Sequence, residues 1–239
     1  MPTTQQEAAV LKKPSAIGLA IVTMILAAPN GAAAQTTLSV DPVAPCYAEQ
    51  DSVYLRGTGF TQNGEVVFSR DNERIGDPIM ADPGGQLEPS LILPGLSHGQ
   101  QQLTYVATDS TNPALTARVT MLVTATDVGL RPAGGPPHRL LTITARGFFD
   151  GPRLYSHVVR LGKRGARARS IRIGALKGPC RRVQAHRRLF SRDTPPGRYR
   201  VQFDVFRRYR SRRKQETDFV VTVERRAGTA RASGFSPPS

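Results

Sequence analysis

Two stretches of the chain, about ninety residues apart, share one pattern of apolar and polar positions. Residues 52–64 read SVYLRGTGFTQNG and residues 140–151 read LLTITARGFFDG. Each alternates apolar and polar side chains and then has a Gly-Phe pair and a turn closed by glycine. This alternation predicts a half-buried β-strand that runs into a turn. Looser similarities join 99–107 to 197–203 and 117–123 to 217–223. The repeat therefore predicts one small β domain made twice.

Short strands separated by turn residues account for both halves. The predicted strands are residues 52–56, 65–69, 78–81, 89–93, 101–108 and 117–124 in the first half, and 140–145, 154–161, 170–173, 182–186, 199–206 and 217–223 in the second. Asn-Gly, Pro-Gly and Asn-Pro pairs mark turns between them, and no long stretch has a helical period. The pattern predicts an all-β chain of two tandem Ig-like Greek-key β-sandwich domains.

The first 34 residues have the features of a cleaved signal peptide. Lys12 and Lys13 precede an apolar run at 16–28, and three alanines at 32–34 offer a small-residue cleavage site. The run is shorter than the ~20 apolar residues of a transmembrane helix. We therefore expect a secreted or extracellular protein associated with the cell surface. Its expected parts are a signal peptide (1–34), an acidic domain (35–128), a basic domain (129–226) and a disordered tail (227–239), with a Pro/Gly linker at 128–137.

Three segments of the first half resemble bacterial Ig-like repeats near the IPT/TIG type. They are 79–86 (IMADPGGQ), 91–99 (LILPGLSHG) and 103–109 (LTYVATD), with an Ala-Asp turn, a Leu-Pro before a Gly-containing loop, and a Thr-x-x-Ala-Thr-Asp strand. The resemblance implies an exported spacer, surface module or binding unit without catalysis. It covers most of 35–128, whereas the second half is similar only at its first strand and its last two.

The two halves carry opposite charge. Residues 35–128 hold 4 Lys or Arg against 11 Asp or Glu, and residues 129–239 hold 27 against 6, in a chain of net charge +15. Arginine makes up 28 of the 33 basic residues. A GC-rich genome would favour arginine everywhere, but the first half comes from the same genome and is nearly free of it. The asymmetry therefore belongs to the second half.

The basic residues of the second half cluster in three segments that connect predicted strands. Guanidinium groups bind phosphate, sulfate or carboxylate groups in bidentate fashion, so we expect this half to bind an anionic cell-wall or extracellular polymer. Solvation of a basic face and attraction of the acidic half are the alternatives, and nucleic acid would bind only non-specifically. The candidate polyanion-binding residues are Arg160, Lys163, Arg164, Arg167, Arg169, Arg181, Arg182, Arg187, Arg188, Arg207, Arg208, Arg210, Arg212, Arg213 and Lys214. Arg172, Arg198 and Arg200 extend the charge along strands.

Cys46 and Cys180 are the two cysteines, and an oxidising compartment permits a disulfide. They occupy different places in the repeat, so only a bridge between the two halves is available. We favour two unpaired thiols, because nothing in the sequence brings the cysteines within the ~7 Å between Cα atoms that a bridge needs.

We predict no catalytic, metal or cofactor site. Gly95-Leu96-Ser97-His98-Gly99 matches the nucleophile-elbow pattern, but a strand follows it instead of the required helix. The four histidines, His98, His138, His157 and His186, lack zinc-ligand spacing. Asp71, Glu73 and Asp77 lack the glycine placement of a calcium loop. The alternative function is a secreted hydrolase or inhibitor on the same scaffold. A hydrolase of this kind should gather Ser97, His98 and a carboxylate in one pocket.

Overall fold

The computed structural model describes residues 35–162, 168–210, 217–226 and 229–236, and in these ranges every regular element is a β-strand. The strands are β1 (Thr37–Asp41), β2 (Tyr47–Ala48), β3 (Ser52–Thr58), β4 (Glu65–Arg70), β5 (Glu73–Arg74), β6 (Ile79–Met80), β7 (Ser90–Ile92), β8 (Gln100–Asp109), β9 (Thr116–Thr124), β10 (Asp127–Arg131), β11 (Leu141–Arg146), β12 (Arg153–Arg160), β13 (Arg169–Ala175), β14 (Val183–Arg187), β15 (Gly197–Asp204), β16 (Thr217–Arg226) and β17 (Thr229–Ser236).

Strands β1–β9 form a first β-sandwich. One sheet has the order β1-β3-β7 and the other β2-β9-β8-β4-β5, with β6 on the edge of β4. Along β3 every second side chain is buried, and the same alternation occurs in β8. The buried set from both sheets forms one core, which includes Val53, Leu55, Val66, Leu103 and Met121. The sheets are therefore packed face to face.

Strands β10–β17 form a second β-sandwich with the same plan. Its sheets have the orders β10-β11-β14 and β13-β12-β15-β16-β17, and Ile143, Leu154, Ile173, Val201 and Val221 belong to its separate core. In each sandwich some neighbours within a sheet are not consecutive in sequence, β3-β7 and β8-β4 in the first and β11-β14 and β12-β15 in the second. Such crossovers are the Greek-key connectivity of immunoglobulin-like domains. The fold class predicted from the sequence is confirmed. The division of the chain into domains at residue 128 stays a prediction, because one compact unit spans Ala34–Ser239.

The repeated Gly-Phe pair ends the same strand in each sandwich. Gly59 and Gly147 follow β3 and β11 with φ of 81° and 78°, a left-handed conformation that favours glycine. At Gly147 a Cβ would also collide with the backbone of Ala125. The turn lets Phe60 and Phe148, 5% and 0% exposed, enter the two cores. The motif that reveals the repeat is thus the turn that directs a phenylalanine into each core.

Equivalent strands β8 and β15 both end in an aspartate with no exposed surface. The Asp109 carboxylate accepts hydrogen bonds from the backbone amides of Thr61 (2.8 Å) and Thr111 (2.9 Å). The Asp204 carboxylate accepts one from the amide of Phe206 (2.7 Å). Each buried carboxylate therefore fixes the loop that follows its strand.

All twelve predicted strands are present, but two other predictions are wrong. Residues 128–131 of the expected linker belong to β10, which pairs with β11 along its whole length. Residues 229–236 of the expected disordered tail form β17, which pairs with β16. Neither segment has a clear alternation, and each gains its strand conformation by pairing with a longer neighbour. The expected signal peptide and residues 227–228 and 237–239 lie outside the described residues.

Hydrogen bonds and an ion pair connect the two sandwiches. Thr126 Oγ1 donates to the carbonyl of Gly147 (3.1 Å), and the Gly99 amide donates to Asp127 Oδ2 (2.7 Å). The other carboxylate oxygen of Asp127 lies 3.1 Å from Arg146 Nε. Asp127, the first residue of β10, therefore joins a loop of the first sandwich to β11 of the second.

The preference for unpaired thiols is also wrong, because Cys46 and Cys180 form a disulfide between the sandwiches. Cys46 immediately precedes β2 and Cys180 lies in the turn between β13 and β14; both are buried. Their Cα atoms are 5.3 Å apart although the residues are 134 positions apart in sequence. No sequence pattern gives that proximity, since it depends on how the sandwiches meet.

We expect the chain, unfolded without reductant, to show no reactive thiols. The Cys46→Ala/Cys180→Ala double variant should lose about 2–4 kcal/mol of unfolding free energy, because a long loop is no longer closed in the unfolded chain. Thiol titration and urea unfolding check both statements, with reduced and alkylated wild type as control. Two reactive thiols in the unreduced, unfolded protein would contradict the bridge.

Candidate polyanion-binding surface

The structure describes nine of the fifteen candidate polyanion-binding residues. They are Arg160, Arg169, Arg181, Arg182, Arg187, Arg188, Arg207, Arg208 and Arg210. Lys163, Arg164, Arg167, Arg212, Arg213 and Lys214 lie outside the described residues. All fifteen belong to the second sandwich or to its connecting segments.

Five of the nine lie at the end of the second sandwich that adjoins the first, here called the junction end. Arg181 and Arg182 are in the same turn as Cys180, between β13 and β14, and Arg207, Arg208 and Arg210 follow β15. Strand register places both connections together, because Tyr155 near the start of β12 pairs with Arg172 of β13 and with Asp204 of β15.

The other four lie at the opposite end, here called the far end. Arg160 is the last residue of β12 and Arg169 the first of β13, whereas Arg187 ends β14 and Arg188 follows it. The sequence left open which basic segments share an end. The structure assigns Arg160, Arg169 and Arg187-Arg188 to the far end, and Arg181-Arg182 and the 207–210 segment to the junction end.

None of these nine arginines forms an ion pair with a carboxylate of the described residues. Seven of them are exposed, and Arg160 and Arg181 are half-buried. Arg160 donates instead to the carbonyl of Pro196 (2.8 Å). In the first sandwich, by contrast, Arg56 lies 2.8 Å from Asp41 and 2.9 Å from Glu88. These nine arginines thus keep charge that no carboxylate of the described residues neutralises.

The segment after β15 surrounds an open concavity. Phe206, Arg207, Arg208 and Arg210 line it, and its volume is about 690 Å³. The three arginines are exposed, so several guanidinium groups face one shared volume of solvent. A site of this kind suits an anionic group better than an apolar ligand.

A buried polar cluster beneath this segment holds it in place. His157 Nε2 lies 3.2 Å from Asp204 Oδ1 and 3.0 Å from the carbonyl oxygen of Phe206. Gln202 Nε2 donates to Asp204 Oδ2 (2.7 Å) and to the carbonyl of Arg210 (2.9 Å). The backbone of the arginine segment is therefore bound at both Phe206 and Arg210 to side chains of β12 and β15.

The protonation states in this cluster follow from its geometry. Burial alone would raise the pKa of Asp204, but hydrogen bonds from His157, the Phe206 amide and Gln202 outweigh it and hold that pKa below its ordinary value. Since Nε2 of His157 faces two acceptors, it carries the ring proton. Nδ1 lies 2.8 Å from Ser170 Oγ. Asp204 is consequently an ionised carboxylate whose hydrogen bonds replace water.

Register places further arginines on the same outward face of the five-stranded sheet. His157 pairs with Gln202 and with Ser170, so residues two positions away share its face. These are Arg200 and, two residues further, Arg198 on β15, and Arg172 on β13. Arg200 Nε lies 3.5 Å from Asp218 Oδ2, and Arg172 and Arg198 are exposed.

The hydrolase alternative requires a pocket that gathers Ser97, His98 and a carboxylate. The segment that holds Ser97 and His98 does not have the geometry of a nucleophile elbow. Ser97 Oγ lies 3.1 Å from His98 Nδ1, but both residues are exposed and strand β8 begins two residues later. The elbow needs a strand that turns into a helix. Asp127, the nearby carboxylate, instead accepts a hydrogen bond from the Gly99 amide.

Ser170, His157 and Asp204 form a hydrogen-bonded chain that the sequence analysis missed. Its order is that of a Ser-His-Asp triad, with Ser170 exposed on strand β13. The His157 ring has no exposed surface, however. A general base must also return its proton to a leaving group, whereas the two ring nitrogens here face Ser170, Asp204 and the Phe206 carbonyl.

The described residues hold no group of three or more His, Cys, Asp or Glu side chains arranged for a metal ion. Of the suggested calcium loop, Asp71 Oδ1 accepts a hydrogen bond from the Thr104 amide (3.0 Å). Of the other histidines, His186 Nδ1 lies 3.1 Å from Thr142 Oγ1. No helix long and apolar enough to cross a membrane occurs in the described ranges.

Comparisons with known proteins give no family. No family model matches the chain, and no curated protein matches it. Among solved structures, a crystal structure of a Salmonella alpha-2-macroglobulin mutant aligns over 84% of this chain and 14% of that one, at 9% identity and a TM-score of 0.28. The chain therefore spans about a seventh of that protein, and so low a score supports no argument.

Replacing Asp204 with asparagine should lower the unfolding free energy by about 1–3 kcal/mol at pH 7, because a buried charge-assisted network loses its acceptor. A carboxylate whose pKa is lowered by folding stabilises the protein above the unfolded pKa of about 4, and that stabilisation is lost as the pH falls. The difference in unfolding free energy between wild type and Asp204→Asn should therefore become smaller as the pH falls below about 4.

Urea unfolding across a pH series measures this, with Asp193→Asn as control because Asp193 is exposed. A difference that widens in acid, or equal stability of the two variants at pH 7, would show that Asp204 does not hold the segment.

Proposed function

We propose that this is an exported, non-catalytic protein that attaches through its second sandwich to an anionic polymer at the cell surface or outside the cell. The observation that carries the proposal is the set of nine described arginines without a carboxylate partner, seven of them exposed. Unneutralised guanidinium groups on one part of a protein attract and bind anions.

Charge-based recognition of a polymer is favoured over recognition of nucleic-acid bases. Tyr209 is the aromatic residue among the arginines of the 207–210 segment, and base stacking needs a free aromatic face. Its ring centroid lies 5.9 Å from that of the buried His157, so the ring packs onto the sandwich. The arginines therefore supply the contacts to ligand.

Export is supported by two independent features. Residues 1–34 have the sequence pattern of a signal peptide. The buried Cys46–Cys180 disulfide is of the kind that persists in oxidising compartments. The first sandwich, which carries net negative charge, would then act as a spacer or contact a protein partner, as the resemblance to bacterial Ig-like repeats implies.

A hydrolase is the second candidate, and the Ser170–His157–Asp204 chain is the observation that raises it. The burial of His157 argues against it, because the ring is enclosed by the Phe206 carbonyl on one side and Ser170 on the other. The contacts of His157 and Gln202 with the backbone at Phe206 and Arg210 give this cluster a structural role, which is to hold the arginine segment in place.

The full chain should be retained on phosphocellulose and released by salt, because each phosphate contact displaces counterions. Arg188→Ser/Arg207→Ser/Arg208→Ser should elute at clearly lower salt than wild type. The charge-matched control is Arg118→Ser/Arg131→Ser/Arg139→Ser, whose three arginines are exposed elsewhere. Equal elution of the two triple variants would mean that net charge alone governs retention and would refute a site at Arg188, Arg207 and Arg208.

A fluorophosphonate probe should not label Ser170 or Ser97, since neither serine has the surroundings of a catalytic nucleophile. Intact-mass measurement after incubation checks this, with a serine hydrolase as positive control. Stoichiometric labelling that disappears in both Ser170→Ala and His157→Gln would favour the hydrolase over the non-catalytic proposal.

A further inference from the structure

We infer that the outward face of the five-stranded sheet carries an extended binding strip for a linear, phosphate-bearing polymer, and this inference rests on the function proposed above. The arginine strip consists of Arg172, Arg198, Arg200, Arg207, Arg208 and Arg210. It runs from the junction end toward the far end of the second sandwich and gives one continuous site, where the sequence suggested separate basic loops.

The buried cluster makes the strip continuous. The segment after β15 does not extend away from the sheet; its Arg210 carbonyl accepts from Gln202 and its Phe206 carbonyl lies against His157. Gln202 and His157 pair with each other in mid-sheet. The segment therefore folds back over the outward face, and the backbone of Arg210 lies at Gln202, two residues before the end of β15.

Strand periodicity continues the strip from there. The outward positions of β15 after Gln202 are Arg200 and Arg198, at intervals of about 6.6 Å for two residues of a strand. Arg200 is oriented by Asp218, which contacts its Nε. The four N–H groups on the two terminal nitrogens of the guanidinium are then the donors that can bind a phosphate. Arg172 flanks the strip on β13, and Arg187 Nε donates to its carbonyl (3.2 Å).

The length of the strip indicates a polymer instead of a single anion. From Arg198 to Asp204, which holds the start of the arginine segment, six residues of strand span about 20 Å. One phosphate group contacts at most one part of such a strip. A chain with phosphates at intervals contacts several parts at once and gains affinity through effective concentration.

Phosphate suits the strip better than a base or a sugar ring. The strip offers guanidinium groups from β13, from β15 and from the overlying segment, and a tetrahedral phosphate presents oxygens in several directions at once. Two aromatic rings lie in the overlying segment: Tyr209 is packed against His157, and Phe206 lines the concavity beside the arginines. Guanidinium groups therefore outnumber aromatic rings along the strip.

Size-fractionated linear polyphosphates, beginning with tripolyphosphate, test the inference on the full chain by calorimetry at physiological salt. We expect affinity per molecule to rise at least about tenfold as the polymer grows to span the strip, about 20 Å, and then to level off. Arg207→Ser/Arg208→Ser shortens the strip from the junction end, and Arg198→Ser/Arg200→Ser shortens it from the far end. Each variant should bind the long polymer about tenfold more weakly than wild type, and its affinity should depend less on polymer length.

The matched control is Arg131→Ser/Arg139→Ser, which removes the same charge from exposed positions on or near the other sheet, and unfolding midpoints confirm that all variants are folded. If every polymer fails to bind, the proposed function falls and the strip with it. If polymers bind but affinity does not depend on length, or the control weakens binding as much as the strip variants, only the strip is overturned. Tighter binding of polygalacturonate than of polyphosphate at equal charge would overturn the choice of phosphate as the ligand group. Tighter binding of single-stranded DNA than of polyphosphate at equal charge would overturn the statement that bases are not recognised.

Discussion

Each sandwich buries one carboxylate completely, and burial of an ionised group is costly unless hydrogen bonds replace its water. Asp109 and Asp204 meet this requirement at the ends of equivalent strands, and hydrogen bonds hold the pKa of each below its ordinary value despite burial. Because the donors include backbone amides of the following loops, the requirement fixes loop conformation. In the second sandwich this loop carries Arg207, Arg208 and Arg210. The hydrogen bonds that the buried carboxylate needs therefore also hold three positive charges over the sheet.

The two sandwiches show how one plan accommodates opposite surfaces. The Gly-Phe turn, the order of the three-stranded sheet and the alternating core positions are the same in both, so the duplicated features are those that bury apolar area. The outward residues differ. Arg56 of the first sandwich is neutralised by Asp41 and Glu88, whereas the described candidate arginines of the second have no such neighbour. Surface charge changes at little cost to the core, and this is where the copies have diverged.

The strands could be predicted because alternation and turn residues report local backbone preference. The strands that were missed, such as β10 and β17, owe their form to a neighbour and not to their own pattern. The Cys46–Cys180 bridge was missed for a related reason: it depends on how two sandwiches meet, and a repeat describes each copy alone. The basic segments were visible as charge, but their distribution between two ends needed strand register. His157 and Gln202 gave no sequence signal of a shared cluster, since they are 45 positions apart and become neighbours only by pairing.

The edge position of the larger sheet, next to β9 in the first sandwich and β16 in the second, is filled differently in the two copies. In the first it is β2, which precedes the hairpin in sequence and pairs with β9 in parallel; in the second it is β17, which follows and pairs antiparallel. As the polypeptide emerges amino end first, the first copy has all its strands once Thr124 is available, whereas the second still presents the open backbone of β16 until Ser236 has appeared. An uncovered strand edge invites pairing with other chains. During synthesis the second copy therefore passes through a stage with an exposed strand edge that is prone to aggregation, and the first copy does not.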